Sequence, residues 1–186
     1  MMTASALKET PMEWLNEPPT WNIQGDTLTV MAGPKTDFWR TTHYGFIRDN
    51  GNCYYQPVAG DFVAEVCFSG RYAALYDQAG LMLRADERTW LKCGIEYVNG
   101  MQHVSAVVTR EFSDWSVIPL AHNPLAIWLR AARAGGRDIL RTRWHDLHYV
   151  APGLPDGRNS PSRPDVRRTG WRRFPGRVRG VYDQTK

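Results

Sequence analysis

A chain of 186 residues with 42% hydrophobic residues and eight Trp is long and apolar enough to bury a core of its own, which excludes a disordered polymer. It contains no run of about eighteen apolar residues, so no segment reads as a membrane-spanning helix. Its net charge of +4 is unevenly placed: residues 1–136 hold 11 Lys+Arg against 14 Asp+Glu, net −3, whereas residues 137–186 hold 12 against 5, net +7. The basic character therefore belongs to the tail, and a nucleic-acid-binding reading of the whole chain is set aside.

Residues 1–11 lack the basic start and apolar stretch of a secretory signal and read as a flexible N-terminus. With Cys53, Cys67 and Cys93 as three thiols of no metal-ligand spacing, this points to a cytoplasmic protein. The first strand signal is Thr27–Met31, a short β-rich run after the turn pair Gly25-Asp26. Asp37-Phe38-Trp39-Arg40-Thr41-Thr42 follows the Gly33-Pro34 break. In Asp61–Phe68, Phe62, Ala64, Val66 and Phe68 alternate with Glu65 on the opposite side. Leu81 and Leu83 of the next run point to the core, and Arg84 to the other face.

The strongest local signal is a hairpin. Trp90–Val98 and Met101–Thr109 flank Asn99-Gly100, the pair preferred in type I′ turns because both positions need positive φ. Counting outward from a two-residue loop sets the register. Tyr97, Ile95, Cys93 and Leu91 lie opposite Gln102, Val104, Ala106 and Val108 on the core face. Glu96, Gly94, Lys92 and Trp90 lie opposite His103, Ser105, Val107 and Thr109 on a polar-aromatic face. Ser113-Asp114-Trp115-Ser116 reads as a turn into another strand, and Leu125–Ala131 as a strand or a short helix, with its place between strands after a proline favouring the strand. Runs at this spacing, with no helical period of useful length, predict an all-β sandwich or jelly roll over residues 12–136. The remainder, 137–186, is an Arg/Pro-rich tail expected to be disordered.

Asp37-Phe38-Trp39-Arg40-Thr41, Asp77-Gln78-Ala79-Gly80-Leu81-Met82-Leu83-Arg84, Trp90-Leu91-Lys92-Cys93-Gly94-Ile95-Glu96, Ser105–Thr109 and Ser113–Ser116 together resemble the regulation-of-enolase-type family of domains of unknown function. That family lies in the concanavalin A-like lectin/glucanase superfamily. The resemblance implies a two-sheet jelly roll with a concave face, in a mostly cytosolic family without an established reaction. It also implies further strands where the basic tail stands, a departure we read as a shift of reading frame near residues 136–140.

No Glu-x-Asp-x-x-Glu run of the superfamily's glucanases is present, and Glu65 and Glu96 stand on separate strands, so the chain reads as non-enzymatic. The expected function is a lectin-like binding domain for carbohydrate or a sugar-derived ligand. Trp39 and Trp90 would stack on sugar rings, with Arg40, Arg84, Lys92, Glu96 and His103 on the same polar face and Asp77 and Gln78 at its rim. The plainer reading makes Arg84, Lys92 and Glu96 a solvated ladder of ion pairs and Trp39 ordinary packing. The alternative function is a cytosolic regulatory protein that binds a glycolytic enzyme such as enolase. No cofactor is expected. His145 and His148 lack a third ligand at useful spacing, so no metal site is expected either.

Overall fold

A computed structural model describes residues 11–133 in full and the backbone of 134, 137–143 and 172–181. The described residues are built from strands alone: β1 (Glu13–Leu15), β2 (Thr20–Gln24), β3 (Thr27–Met31), β4 (Phe38–Arg40), β5 (Ile47–Asp49), β6 (Cys53–Tyr55), β7 (Phe62–Arg71), β8 (Gln78–Arg84), β9 (Thr89–Val98), β10 (Met101–Arg110), β11 (Phe112–Pro119), β12 (Ile127–Ala134), β13 (Arg137–Arg143) and β14 (Arg172–Val181). One sheet has the order β11-β10-β9-β8 and the other β13-β12-β7-β14-β3-β2. Two small ribbons, β4-β5 and β1-β6, complete the described structure.

The β9–β10 hairpin has the register expected from its turn. Ile95 faces Val104, Cys93 faces Ala106 and Leu91 faces Val108. Asn99 and Gly100 both take positive φ, 52° and 81°, the conformation a type I′ turn requires. The same alternation places Val104, Ala106, Ile95, Cys93 and Leu91 against Val66 and Phe68 of β7 and Ile127, Leu129 and Ala131 of β12. This shared layer is the sandwich core. Removing such side chains from water supplies about 25 cal/mol per Å² of apolar surface, the main force holding the two sheets together.

Two stretches of the basic tail, which the sequence reading leaves outside the sandwich, are strands of it. β13 pairs antiparallel with β12, Ala134 opposite Arg137. The intervening Gly135-Gly136, read from sequence as the end of the pattern, is also a two-residue hairpin composition. β14 runs parallel to both β7 and β3, with Arg177 in register with Cys67 on one side and Thr27 on the other. Its sequence alternates only over Gly176–Gly180, where Arg177 and Arg179 interleave with Gly176, Val178 and Gly180.

Ser113–Ser116 is not a turn but part of β11, paired with β10 from Phe112 to Pro119. The reversal occurs one step earlier, where Glu111 has φ 64°. A left-handed residue other than Gly or Asn is uncommon, and this is why the turn was misplaced in the sequence.

Candidate functional site

The side of β8–β11 turned away from the sandwich core carries the alternate residues of each strand. Its rows follow from the register: Gln78, Glu96, His103 and Pro119; Gly80, Gly94, Ser105 and Val117; Met82, Lys92, Val107 and Trp115; Arg84, Trp90, Thr109 and Ser113. The sequence-derived face was therefore assembled from the right residues on β8, β9 and β10.

One half of this face is covered. Phe38 and Trp39 of β4 pack on Trp90 and Val107, with Leu15, Cys53 and Met82 around them, as a second hydrophobic cluster. Trp39 and Trp90 are only 7% and 3% exposed, so neither ring is open for stacking on a sugar. Trp39 also donates its Nε1–H to the Thr42 carbonyl at 2.9 Å. Arg40 clips β4 to the sheet: its backbone N–H reaches Ser113 Oγ at 2.9 Å and its Nε the Glu111 carbonyl at 3.2 Å. These residues are structural because the ribbon that covers the face is made of the residues expected to line it.

The cover also takes the cations of the face. Arg84 forms a two-pronged bond to Asp49 of β5, at 2.6 and 2.8 Å, and this bond holds its guanidinium above its ordinary pKa. Lys92 Nζ lies 2.7 Å from Asp37 Oδ1, which also accepts from Gln78 Nε2 at 3.1 Å and from the Phe38 backbone N–H at 2.7 Å. The ladder of Arg84, Lys92 and Glu96 does not form, because the hairpin supplies a carboxylate to each cation.

Glu96 stands at the uncovered end. It is 8% exposed. Its Oε2 accepts from Ser105 Oγ at 2.7 Å and from Trp115 Nε1 at 2.8 Å. Among the described residues it has no ion-pair partner, and its hydrogen bonds all fall on Oε2. His103, its cross-strand neighbour, directs Nδ1 to the Met101 carbonyl at 3.0 Å instead.

A run of aromatic rings leads away from this carboxylate, starting at its donor Trp115, and sequence reasoning missed it. Trp115 stands edge-on to Tyr76, ring centres 6.3 Å apart. The Tyr76 and Tyr44 hydroxyls are 3.0 Å apart, and Tyr44 stacks on Phe46 at 5.3 Å. Trp115, Tyr76, Phe46 and Tyr44 are 36–46% exposed. The Tyr76 pKa is pushed up to about 12, first by the bond to Tyr44 and then by burial, so its hydroxyl stays protonated at neutral pH. Parity along β11 was the available signal for Trp115. Tyr44 and Tyr76 lie in loops, where sequence gives no direction.

Asp77, expected at the rim as a ligand contact, is fully buried. Its Oδ2 accepts from the Ala73 and Ala74 backbone N–H groups at 2.7 and 2.8 Å, its own N–H donates to the Ala74 carbonyl, and its carbonyl accepts from the Tyr97 N–H. These bonds fix the loop in which Tyr76 takes φ 70°, a rare conformation for a bulky residue. Beside Glu96 and Gln78, Gly80 and Gly94 face each other, and a Cβ on either would lie 1.9 Å from a carbonyl of the other strand. The floor between the rows is thus bare backbone, open to solvent at Gly80.

Residues 14–148 match the family described as "Protein of unknown function (DUF1349)". The chain belongs to that family. The matched span continues past the 136–140 point at which the sequence reading placed a departure, and it includes β13. Over 117 residues the chain is 43% identical to "Regulation of enolase protein 1" of Saccharomyces cerevisiae, covering 63% of this chain and 59% of that protein. An uncharacterized protein of Emericella nidulans is 32% identical over 112 residues, 57% of this chain and 56% of that one. The chain thus spans less than two thirds of either relative. The crystal structure of a functionally unknown protein from Saccharomyces cerevisiae superposes with a TM-score of 0.68 at 39% identity, covering 70% of this chain and 71% of that one.

Among the described residues no helix is long and apolar enough to cross a membrane, and no three His, Cys, Asp or Glu cluster as metal ligands. His145 and His148 lie outside the described residues. Burial pushes the Cys53 thiol up to about 11 and the Cys93 thiol up to about 12, so both are poor nucleophiles at neutral pH.

Proposed function

We propose that this DUF1349 protein is a non-catalytic cytosolic regulator that acts by docking onto a metabolic enzyme, with enolase as the first candidate. The observation that carries the reading is the run of half-exposed rings from Phe46 through Tyr44 and Tyr76 to Trp115. Tyr and Trp dominate the energetic centres of protein interfaces, because they offer large rigid area at low entropic cost. Ile47 at the start of β5 and Leu75 in the Tyr76 loop, 55% and 53% exposed, add apolar surface next in sequence to these rings. The relative named for regulation of enolase supports the choice of partner. The concanavalin A-like assignment belongs to this reading as a scaffold whose concave side has been partly filled.

The carbohydrate reading loses its stacking rings to the covering ribbon, and Asp37, a second carboxylate over the face, is held by Lys92 and Gln78. The test is a pull-down and size-exclusion assay of the full chain with purified enolase, run beside thermal melts with a panel of sugars. A complex that weakens at least tenfold in the Tyr44→Ala, Trp115→Ala double variant, with no sugar shifting the melt, is the expected result. A sugar-dependent rise in melting temperature without any enolase complex overturns the reading.

A further inference from the structure

We propose that the Glu96 carboxylate and the rings of Tyr44, Tyr76 and Trp115 form a receptor for an organic ammonium group that carries at least one N–H. The charge argument comes first. A carboxylate that is nine-tenths buried is costly unless a cation or a full set of donors compensates it. Glu96 has two neutral donors, the Ser105 hydroxyl and the Trp115 indole N–H, both on Oε2. The cations that share its face are committed elsewhere, Lys92 to Asp37 and Arg84 to Asp49. Oε1 takes no hydrogen bond from a described residue yet stays in reach of solvent, so an ammonium N–H can displace water there and supply both a bond and the opposite charge.

The run of rings that starts at Trp115 suits the same guest. The negative faces of Trp and Tyr attract ammonium groups and their attached methylenes, by about 0.5–2 kcal/mol per ring depending on desolvation. The Tyr44 and Tyr76 hydroxyls bond to each other, so these residues present ring surface rather than polar tips. Tyr76 holds a left-handed backbone that nothing in its own side chain favours, and the buried Asp77 carboxylate maintains it. Backbone strain of this kind concentrates at ligand clamps and active sites. The glycine pair Gly80 and Gly94 leaves the strands beside Glu96 without Cβ atoms, so no side chain of either residue stands between the carboxylate and a guest. An anion finds no free donor set here, and a metal ion finds no second and third ligand among the described residues.

The ammonium has two sources, a free amine or a lysine side chain, and the probes separate them. Tryptophan fluorescence of the full chain is titrated with n-butylammonium, tetramethylammonium, 1-butanol and the N-acetyl, N′-methylamide derivative of lysine. Saturable binding of n-butylammonium, weaker binding of tetramethylammonium and none of 1-butanol is expected. Glu96→Gln keeps an oxygen for Ser105 and Trp115, so its melt should be unchanged while ammonium binding falls at least tenfold. A lysine derivative that binds as tightly as n-butylammonium assigns the source to protein side chains, and one that does not assigns it to free amines. No saturable response to any ammonium, an equal response in the Glu96→Gln variant, or equal binding of 1-butanol overturns the proposal. The inference stands on the face itself, so amine binding without an enolase complex, or the reverse, distinguishes it from the regulatory reading.

Discussion

The two sides of the β8–β11 sheet are made from alternate residues of the same strands, yet they are closed in different ways. The inner side meets β7 and β12, and its partners are aliphatic: Ile95, Val104 and Ala106 against Val66, Leu129 and Ala131. The outer side meets a three-residue strand and its loop, and it mixes Trp39, Trp90 and Phe38 with the ion pairs of Lys92 and Arg84. A sheet can close one side by stacking another sheet, with no further selection on individual positions. Closing the second side with a short ribbon needs large rings and specific charge partners, and it reaches only half of the surface. The uncovered half, around Glu96, is where aromatic rings such as Trp115 and Tyr76 stay half-exposed.

That contrast can be broken by removing its heaviest element. Trp90→Ala is expected to destabilise the chain by about 3–5 kcal/mol, as for other buried aromatic truncations. A chemical-denaturation curve reads this directly. A loss below about 1 kcal/mol would mean the ribbon is a loosely held flap rather than a second core. The contrast sharpens at Asp77, which belongs to neither packed cluster. Asp77→Ala leaves the Ala73 and Ala74 N–H groups without their acceptor and should cost about 2 kcal/mol, since bonds to a charged acceptor contribute roughly 1.5–3 kcal/mol. Because Tyr76 loses its support, enolase and ammonium binding should weaken further than that stability loss alone explains.

The smallest effect concerns the thiols, one on each side of the sheet. Cys93 lies in the inner core and Cys53 against the outer cluster, and burial raises both pKa values above the ordinary 9.0. For a thiol, a raised folded pKa favours the protonated native form. The unfolded chain ionises first, so stability is retained below about pH 9 and declines as the pH climbs from there towards 11 and 12. Alkylation at pH 8 should leave both unmodified until denaturant is added. Rapid native labelling of Cys53 with Cys93 protected would show that the outer cover opens while the inner core stays closed.

Much of this was readable from residues, because it is local. Asn99-Gly100 dictates a turn, the turn dictates a register, and the register puts Glu96, Lys92, Trp90 and Arg84 on one side. What lies above that side was not readable. Trp39 and Trp90 look like exposed sugar platforms until β4 folds across them, a contact between residues far apart in sequence. Lys92 and Glu96 look like ladder partners until Asp37 arrives from the same ribbon. Tyr44 and Tyr76 gain their positions from loops with left-handed residues at Thr41, His43 and Tyr76, for which their side chains give no cue. The tail shows the converse limit: Pro175 and the arginines of Arg172–Val181 argue against an interior strand, yet the backbone places it between two others.

That placement of β14 bears on how the molecule is made. The six-stranded sheet is joined along its middle by residues 172–181, which pair with β3 on one flank and β7 on the other. Until the ribosome has released that segment, β2-β3 and β7-β12-β13 are two separate flaps, each with an unpaired edge facing the other. Contacts of such long sequence separation form slowly, and open edges are where nascent chains stick to one another. Strands β2, β3, β7 and β12 must therefore wait, half-zipped, for β14 to arrive.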